Sequence, residues 1–203
     1  MARYTGPKCK IARRERMDLE HTKKPLDKKC NMKTVPGMHG LPKRLVGFGA
    51  QFRAKQALKR RYGLMEKQFF NYFKLSNKAT GNTGLKLLQF LESRLDNVVF
   101  RLGFASTRAQ ARQFVSHGLV QVNNRRCNIP SVILKPGDVI SIKDTAKGYA
   151  YIQQAVQESR NKPGCSWITV DTETLQGIFL QAPDRENLSP DLNEQLVVEL
   201  YSK

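Results

Sequence analysis

Leu88, Leu91, Leu95, Val98 and Leu102 recur at alternating steps of three and four, which predicts one apolar stripe along a helix. Gly103 follows the last of them, where a left-handed C-cap favours a residue without a Cβ. A second helix is expected from Ser106 or Thr107, because Thr107 and Gln110 have capping-box spacing. Ala109, Phe114 and Val115 would give it a buried side, and Gly118 would stop it. The period then drops to two. Residues 119–122 read as a short strand, and Asn123-Asn124 suits a two-residue hairpin loop because Asn tolerates positive φ. Residues 132–134 are a second apolar run. Lys135-Pro136-Gly137-Asp138 places Pro and Gly as a type II turn needs them, and residues 139–143 alternate as a strand.

The flanks read differently. Residues 1–45 look extended and irregular, interrupted by Pro7, Pro25, Pro36 and Pro42, with one short helix expected over 8–14. Residues 51–62 and 66–75 show helical patterning. Phe69, Phe70, Tyr72 and Phe73 lie in the second of these. They could stack on bases, but at helical spacing a core role is favoured. Residues 77–84 read as a polar loop. Residues 146–160 are expected to be helical, Pro163-Gly164 a turn, and residues 167–171 and 177–180 strands. Ser189-Pro190-Asp191 has the form of a helix start, after which Leu192, Leu196 and Leu200 would share a face. The fold class expected is α+β. A discontinuous, mostly helical domain (46–90 with 182–203) would carry an inserted helix-helix-β domain (91–181, core 94–154), preceded by a basic extension over 1–45.

Charge changes the picture most. The net charge is +18 over 203 residues. Residues 1–62 hold 18 Lys/Arg against 4 Asp/Glu, residues 63–162 hold 15 against 6, and residues 163–203 hold 2 against 7. A basic front and middle predict a polyanionic partner, and an acidic end predicts packing or protein contact. Arg94 and Arg101 share a helix face, as do Arg108 and Arg112, and Arg125 and Arg126 stand beside the hairpin. Together they could present one guanidinium surface that grips phosphate through paired hydrogen bonds. The alternative is solvated faces, with Arg94 paired to Asp96 or Glu92.

Other partners and chemistries find less support. No run approaches the ~20 apolar residues of a membrane span, and neither a lipidation signal nor an apolar leader is present, so no membrane partner is expected. The cytosol, or an organelle that makes its own proteins, is the expected location. Cys9, Cys30, Cys127 and Cys165 are widely spaced without an export signal, so disulfides are not expected. Cys9 and Cys30, with His21 and His39, are weak zinc candidates, but no paired Cys or His clip exists and no zinc is expected. No phosphate loop, dinucleotide fingerprint, zinc-protease motif or nucleophile elbow is found, so no catalytic residue is assigned and no enzyme is expected. His117 would cap carbonyls or meet RNA, and Asp96 and Asp138 would be structural.

Arg94-Leu95-Asp96, Arg108, Ala111-Arg112, residues 118–123 and Gly137-Asp138-Val139-Ile140 resemble the RNA-binding module named after the fourth protein of the small ribosomal subunit. Asn124 stands where that module usually has Gly. The likeness extends end to end. It includes Met1-Ala2-Arg3-Tyr4-Thr5-Gly6-Pro7-Lys8, Pro36-Gly37-Met38-His39-Gly40 (Met38 replacing the usual Gln), Glu66-Lys67-Gln68-Phe69, Gly81-Asn82-Thr83-Gly84 and Val198-Glu199-Leu200-Tyr201-Ser202-Lys203. The chain thus resembles the bacterial-type ribosomal protein S-four family.

That resemblance implies a structural constituent of the small subunit. It implies direct binding to a multi-helix junction in the 5′ domain of 16S rRNA, early in assembly. It further implies ribosomal protein S-five as a neighbour, a shared role in decoding accuracy with S-twelve, and mRNA contact where the message enters the subunit. Some members carry a four-cysteine site near the N-terminus, of which this chain keeps two. The cations expected to meet rRNA are Arg3, Lys8, Lys10, Arg13, Arg14, Arg53, Lys55, Arg60, Arg61, Lys67, Arg94, Arg101, Arg108, Arg112, Arg125 and Arg126. Lys43, Arg44 and Arg53 match basic positions near the incoming mRNA. An RNA-modifying enzyme using the module as a clamp and a free stress-response RNA-binding protein are the rival readings.

Overall fold

The structure is a computed structural model that describes residues 4–23, 26–38, 40, 44–160 and 164–202, with the side chains of 26 and 27 left aside. The chain divides into two compact units: residues 1–88 with 189–203, and residues 89–188. Arg3, His39, Lys43 and Pro163 lie outside the described residues.

The first unit is helical: α1 (Lys8–Glu15), α2 (Leu26–Lys29), α3 (Phe48–Arg61), α4 (Glu66–Lys78), the start of α5 (Thr83–Glu92), and α10 (Glu194–Tyr201). Its core draws Ile11, Ala12 and Leu19 from the front of the chain, Leu58 from α3, Phe69 from α4 and Val197 from α10. The described residues before 41 therefore join this unit and are not the separate extended arm that their prolines suggest. α1 packs on α3, because Ile11 and Ala12 supply an apolar face and Glu15 a counter-charge. The aromatics of α4 are largely core. Phe69, Tyr72 and Phe73 are buried, and Tyr201 of α10 sits among Phe69, Phe70 and Phe73 with ring centroids 4.7–6.2 Å apart. α10 starts at Glu194 rather than at Ser189. The Ser189-Pro190-Asp191 stretch forms a turn instead, with the Ser189 hydroxyl accepting a bond from Arg61.

Cys9 and Cys30 form a disulfide, against expectation. Folding of α1 and the turn after α2 brings their Cα atoms to 5.7 Å, within disulfide reach, although 21 positions separate them. With both thiols joined, the pair offers no thiolate to zinc. No cluster of three His, Cys, Asp or Glu side chains suited to a metal occurs among the described residues.

The second unit is α+β. The stripe of 88–102 runs over two helices, α5 and α6 (Leu95–Arg101), because the helix breaks at Ser93-Arg94, where Arg94 is extended at φ −67°, ψ 138°. The break frees backbone groups, and residues 130–134 satisfy them. Leu95 N–H donates to Val132 O (2.8 Å), Leu134 N–H to Ser93 O (2.9 Å), and Arg94 bridges Ile133. The second apolar run therefore serves as a patch over the break and not as a strand of the sheet. α7 (Arg108–Ser116) opens at Thr107, whose hydroxyl accepts from Gln110 N–H, while the Gln110 side chain accepts from Ser106 N–H. Its buried side is Ala111, Phe114 and Val115, with Ala109 half-buried.

Among the described residues, five strands make one antiparallel sheet: β1 (Val120–Val122), β2 (Arg125–Arg126), β3 (Val139–Ile142), β4 (Ile168–Asp171) and β5 (Gln176–Phe179), in the order β2-β1-β3-β5-β4. The hairpin loop holds Asn123 and Asn124 at φ 50° and 63°, the left-handed pair that a two-residue loop requires. Asp138 fixes the neighbouring turn, accepting from Lys135 N–H (2.8 Å) and the Asn123 side chain (2.9 Å). α8 (Asp144–Lys147) and α9 (Ala150–Ser159) replace the single helix expected over 146–160.

Candidate nucleic-acid interface

In the second unit, four of the six candidate arginines form a braced network under the helix break. Asp96, at 2% exposure, accepts from Arg94 Nε (3.0 Å) and a terminal Arg94 nitrogen (2.8 Å), and from Arg112 Nε (2.8 Å) and a terminal Arg112 nitrogen (2.7 Å). Buried Glu92 accepts from Arg101 (2.8 and 3.1 Å) and from the Asn97 amide (2.5 Å). Asn97 in turn accepts from Arg108 Nε (2.7 Å), and the Arg108 guanidinium lies 4.5 Å from the centroid of the Phe100 ring.

Arg94, Arg108 and Arg112 are buried. The single exposed guanidinium surface expected from spacing alone is therefore not displayed; of its alternatives, Arg94 pairs with Asp96. The reason is physical. A buried guanidinium must keep its charge, so the fold supplies carboxylates and an amide oxygen to hold it. Arg125 and Arg126 do stand exposed on β2. Arg126 lies across Gly118, where a Cβ would fall 2.1 Å from its Nε. His117 and Lys143 are exposed beside it. Gly118 follows His117, and Lys143 N–H donates to Leu119 O at 2.9 Å.

The first unit divides its candidates in the same way. The Glu15 side chain, 1% exposed, pairs with Arg53 (3.1 Å) and with Arg60. Glu66 accepts from Lys55 (2.7 Å), Lys59 (2.8 Å) and the Tyr201 hydroxyl (2.7 Å). Burial pulls the Glu66 carboxyl up, but these hydrogen bonds outweigh it and bring the pKa down to about 2. Burial and the Glu66 charge raise the Tyr201 hydroxyl. Arg61 pairs with Glu20 (2.7 Å), and Arg13 holds Thr34 and Val35. Lys8 is half-buried, while Lys10, Arg14, Arg44 and Lys67 remain exposed. Sequence reasoning missed the anchoring role of Glu15, Glu20 and Glu66, and offered Glu92 as a partner for Arg94 where the structure pairs it with Arg101. The available signal was the rarity of acids in these basic stretches.

Two family models match the chain: the ribosomal protein S4/S9 N-terminal domain over residues 3–92 and the S4 domain over residues 93–140. The small ribosomal subunit protein uS4 of Francisella tularensis subsp. novicida is 50% identical over 206 aligned residues, covering all of both chains. The chain belongs to the uS4 family. The uS4 protein of Francisella philomiragia is 49% identical over the same full span. In uS4 terms, the domain match ending at 140 takes in the four arginines and Asp96, the hairpin and the Asp138 turn, and stops inside β3, while Glu92 is the last residue of the N-terminal match. No helix among the described residues is long and apolar enough to cross a membrane.

Proposed function

We propose that this chain is a structural constituent of the small ribosomal subunit that binds 16S rRNA directly. The observation that carries the reading is full-length identity of 50% to proteins named small ribosomal subunit protein uS4. The charge supports it. A net charge of +18 favours a polyanionic partner, and a folded rRNA junction offers phosphates and shape more than base edges.

The division of arginines suggests how the binding works. Arg94, Arg101, Arg108 and Arg112 hold the helix break rigid. Arg125, Arg126, Lys135 and Lys143 on the second unit, and Lys10, Arg14 and Lys67 on the first, are the exposed cations that meet phosphate. Rigid placement spares the entropy of ordering contacts at the moment of binding. The family assignment supports the finer reading: a multi-helix junction in the 5′ domain, bound early in assembly, next to ribosomal protein S-five. A shared role with S-twelve in accuracy belongs to the same reading, as does a place for Arg44 and Arg53 where mRNA enters.

Titration of the purified chain onto small-subunit rRNA in a salt series tests this. Four to six phosphate contacts give a slope of log affinity against log salt of about −3 to −5. A flat slope, or equal affinity for an unrelated transcript, overturns it.

A further inference from the structure

Tyr149 and Tyr151 stand at the start of α9, 41% and 43% exposed, with ring centroids 5.3 Å apart. Tyr151 is backed by Phe114 of α7, also at 5.3 Å, so its ring is held while a large part of it faces solvent. Exposed, braced aromatics are uncommon where a core could have taken them, and here the core is already filled by Ile152, Ala155 and Val156 on the other side of the same helix.

Exposed cations lie on the adjoining segments. Phe114 lies one turn before exposed His117. Gly118 next to it carries Arg126 across its face, and Lys143 is bonded to Leu119 through its backbone and leads into α8 and α9. Asp144, the nearest acid along the chain, is paired to Lys147 at 2.8 Å.

We propose that Tyr149 and Tyr151 form a stacking platform for an unpaired nucleobase of the bound RNA, with a flanking phosphate at Lys143 and Arg126. Aromatic faces accept any base, and a cationic rim tracks the backbone, which is the chemistry of single-strand binding. This inference rests on the RNA-binding reading above and adds a site to it. The helical stripe and the arginine network do not predict it.

The test uses the full-length chain and two probes of equal length: oligoadenylate and the same backbone without bases. Fluorescence anisotropy at fixed salt gives the affinities. Oligoadenylate should bind the wild type about ten-fold more tightly than the abasic strand does, and Tyr149→Ala/Tyr151→Ala should abolish that preference. Tyr149→Phe/Tyr151→Phe keeps both rings and should retain it. Melting by circular dichroism checks that the alanine variant is folded. If it is not, the single variants Tyr149→Ala and Tyr151→Ala decide: each should lower the preference for bases, and an unchanged preference in both refutes the platform.

Equal binding of both probes by wild type, or an unchanged preference in a folded alanine variant, refutes the platform. In either case, steep salt-dependent binding to small-subunit rRNA would leave the parent reading standing. Loss of that binding in the wild type would remove both. Protection of the tyrosines by a protein and not by RNA would assign the patch to a protein partner and sink the proposal.

Discussion

Replacing Asp96 by Asn removes one negative charge from between two guanidinium groups while keeping the size of the side chain. In the folded protein Asp96 accepts four hydrogen bonds from Arg94 and Arg112, whose side chains are 2% and 9% exposed. The amide that replaces the carboxylate offers these two buried guanidinium groups one acceptor oxygen and no negative charge. Removing one partner of a buried ion pair costs about 3–5 kcal/mol, mostly through the charge left behind. The arrangement here has two such cations on one acid, so the upper part of that range applies. Trp167 is the single tryptophan, is 3% exposed and lies in the second unit, so its fluorescence reports unfolding of that unit. With a urea slope of about 1.5 kcal/mol per molar, the midpoint should fall by about 3 M. A shift worth less than ~1 kcal/mol would refute the argument that this carboxylate holds the helix break together. So would a stable variant whose rRNA salt slope steepens, since the freed arginines would then be reaching phosphate.

Three further outcomes are expected. Gly118→Ala places a Cβ at φ +69° into the Arg126 guanidinium, so it should cost about 1–3 kcal/mol and weaken rRNA binding, read by melting and titration together. Glu66→Gln should destabilise the first unit at neutral pH by about 1 kcal/mol, a value reduced for screening because the carboxylate is 46% exposed. The folded pKa lies below the unfolded one, so the stabilisation is present above about pH 4.5 and is lost as pH falls toward about 2. Melts of wild type and variant should therefore converge in acid. Alkylation without reductant should label Cys127 and Cys165 alone, adding two groups by mass, and reduction should raise the count to four and lower stability by about 3 kcal/mol for a loop of this length.

The elements that repeat a local rule were legible in the sequence. Gly103, Thr107, Gly118, Asn123-Asn124 and the turn at 135–138 each satisfy a backbone requirement within a few residues, and the structure places them accordingly. What could not be read depended on partners distant in sequence. The stripe from Leu88 to Leu102 looks continuous, yet residues 130–134 stabilise a break in it by supplying alternative hydrogen bonds. Arginine spacing placed Arg108 and Arg112 on one helix correctly, but the break at Arg94 takes that residue off the helix of Arg101, and whether a face points to solvent depends on where Glu92 and Asp96 come to lie. Cys9 and Cys30 show no clip spacing, and only the packing of the front of the chain brings them together. The tyrosine pair was overlooked because exposure, and not spacing, is what distinguishes it.

The position of α10 has a consequence for how the protein is made. Gln51 of α3 donates to Glu199 at 2.9 Å, and Tyr201 closes the aromatic cluster of α4, yet more than a hundred codons separate these segments during synthesis. The second unit emerges as one uninterrupted stretch and can collapse as soon as it is out. The first must wait, its apolar helix faces unclosed, until its last helix appears. Nascent chains stalled before residue 194 should therefore hold a folded centre and a protease-sensitive front, so the order of folding runs opposite to the order of translation.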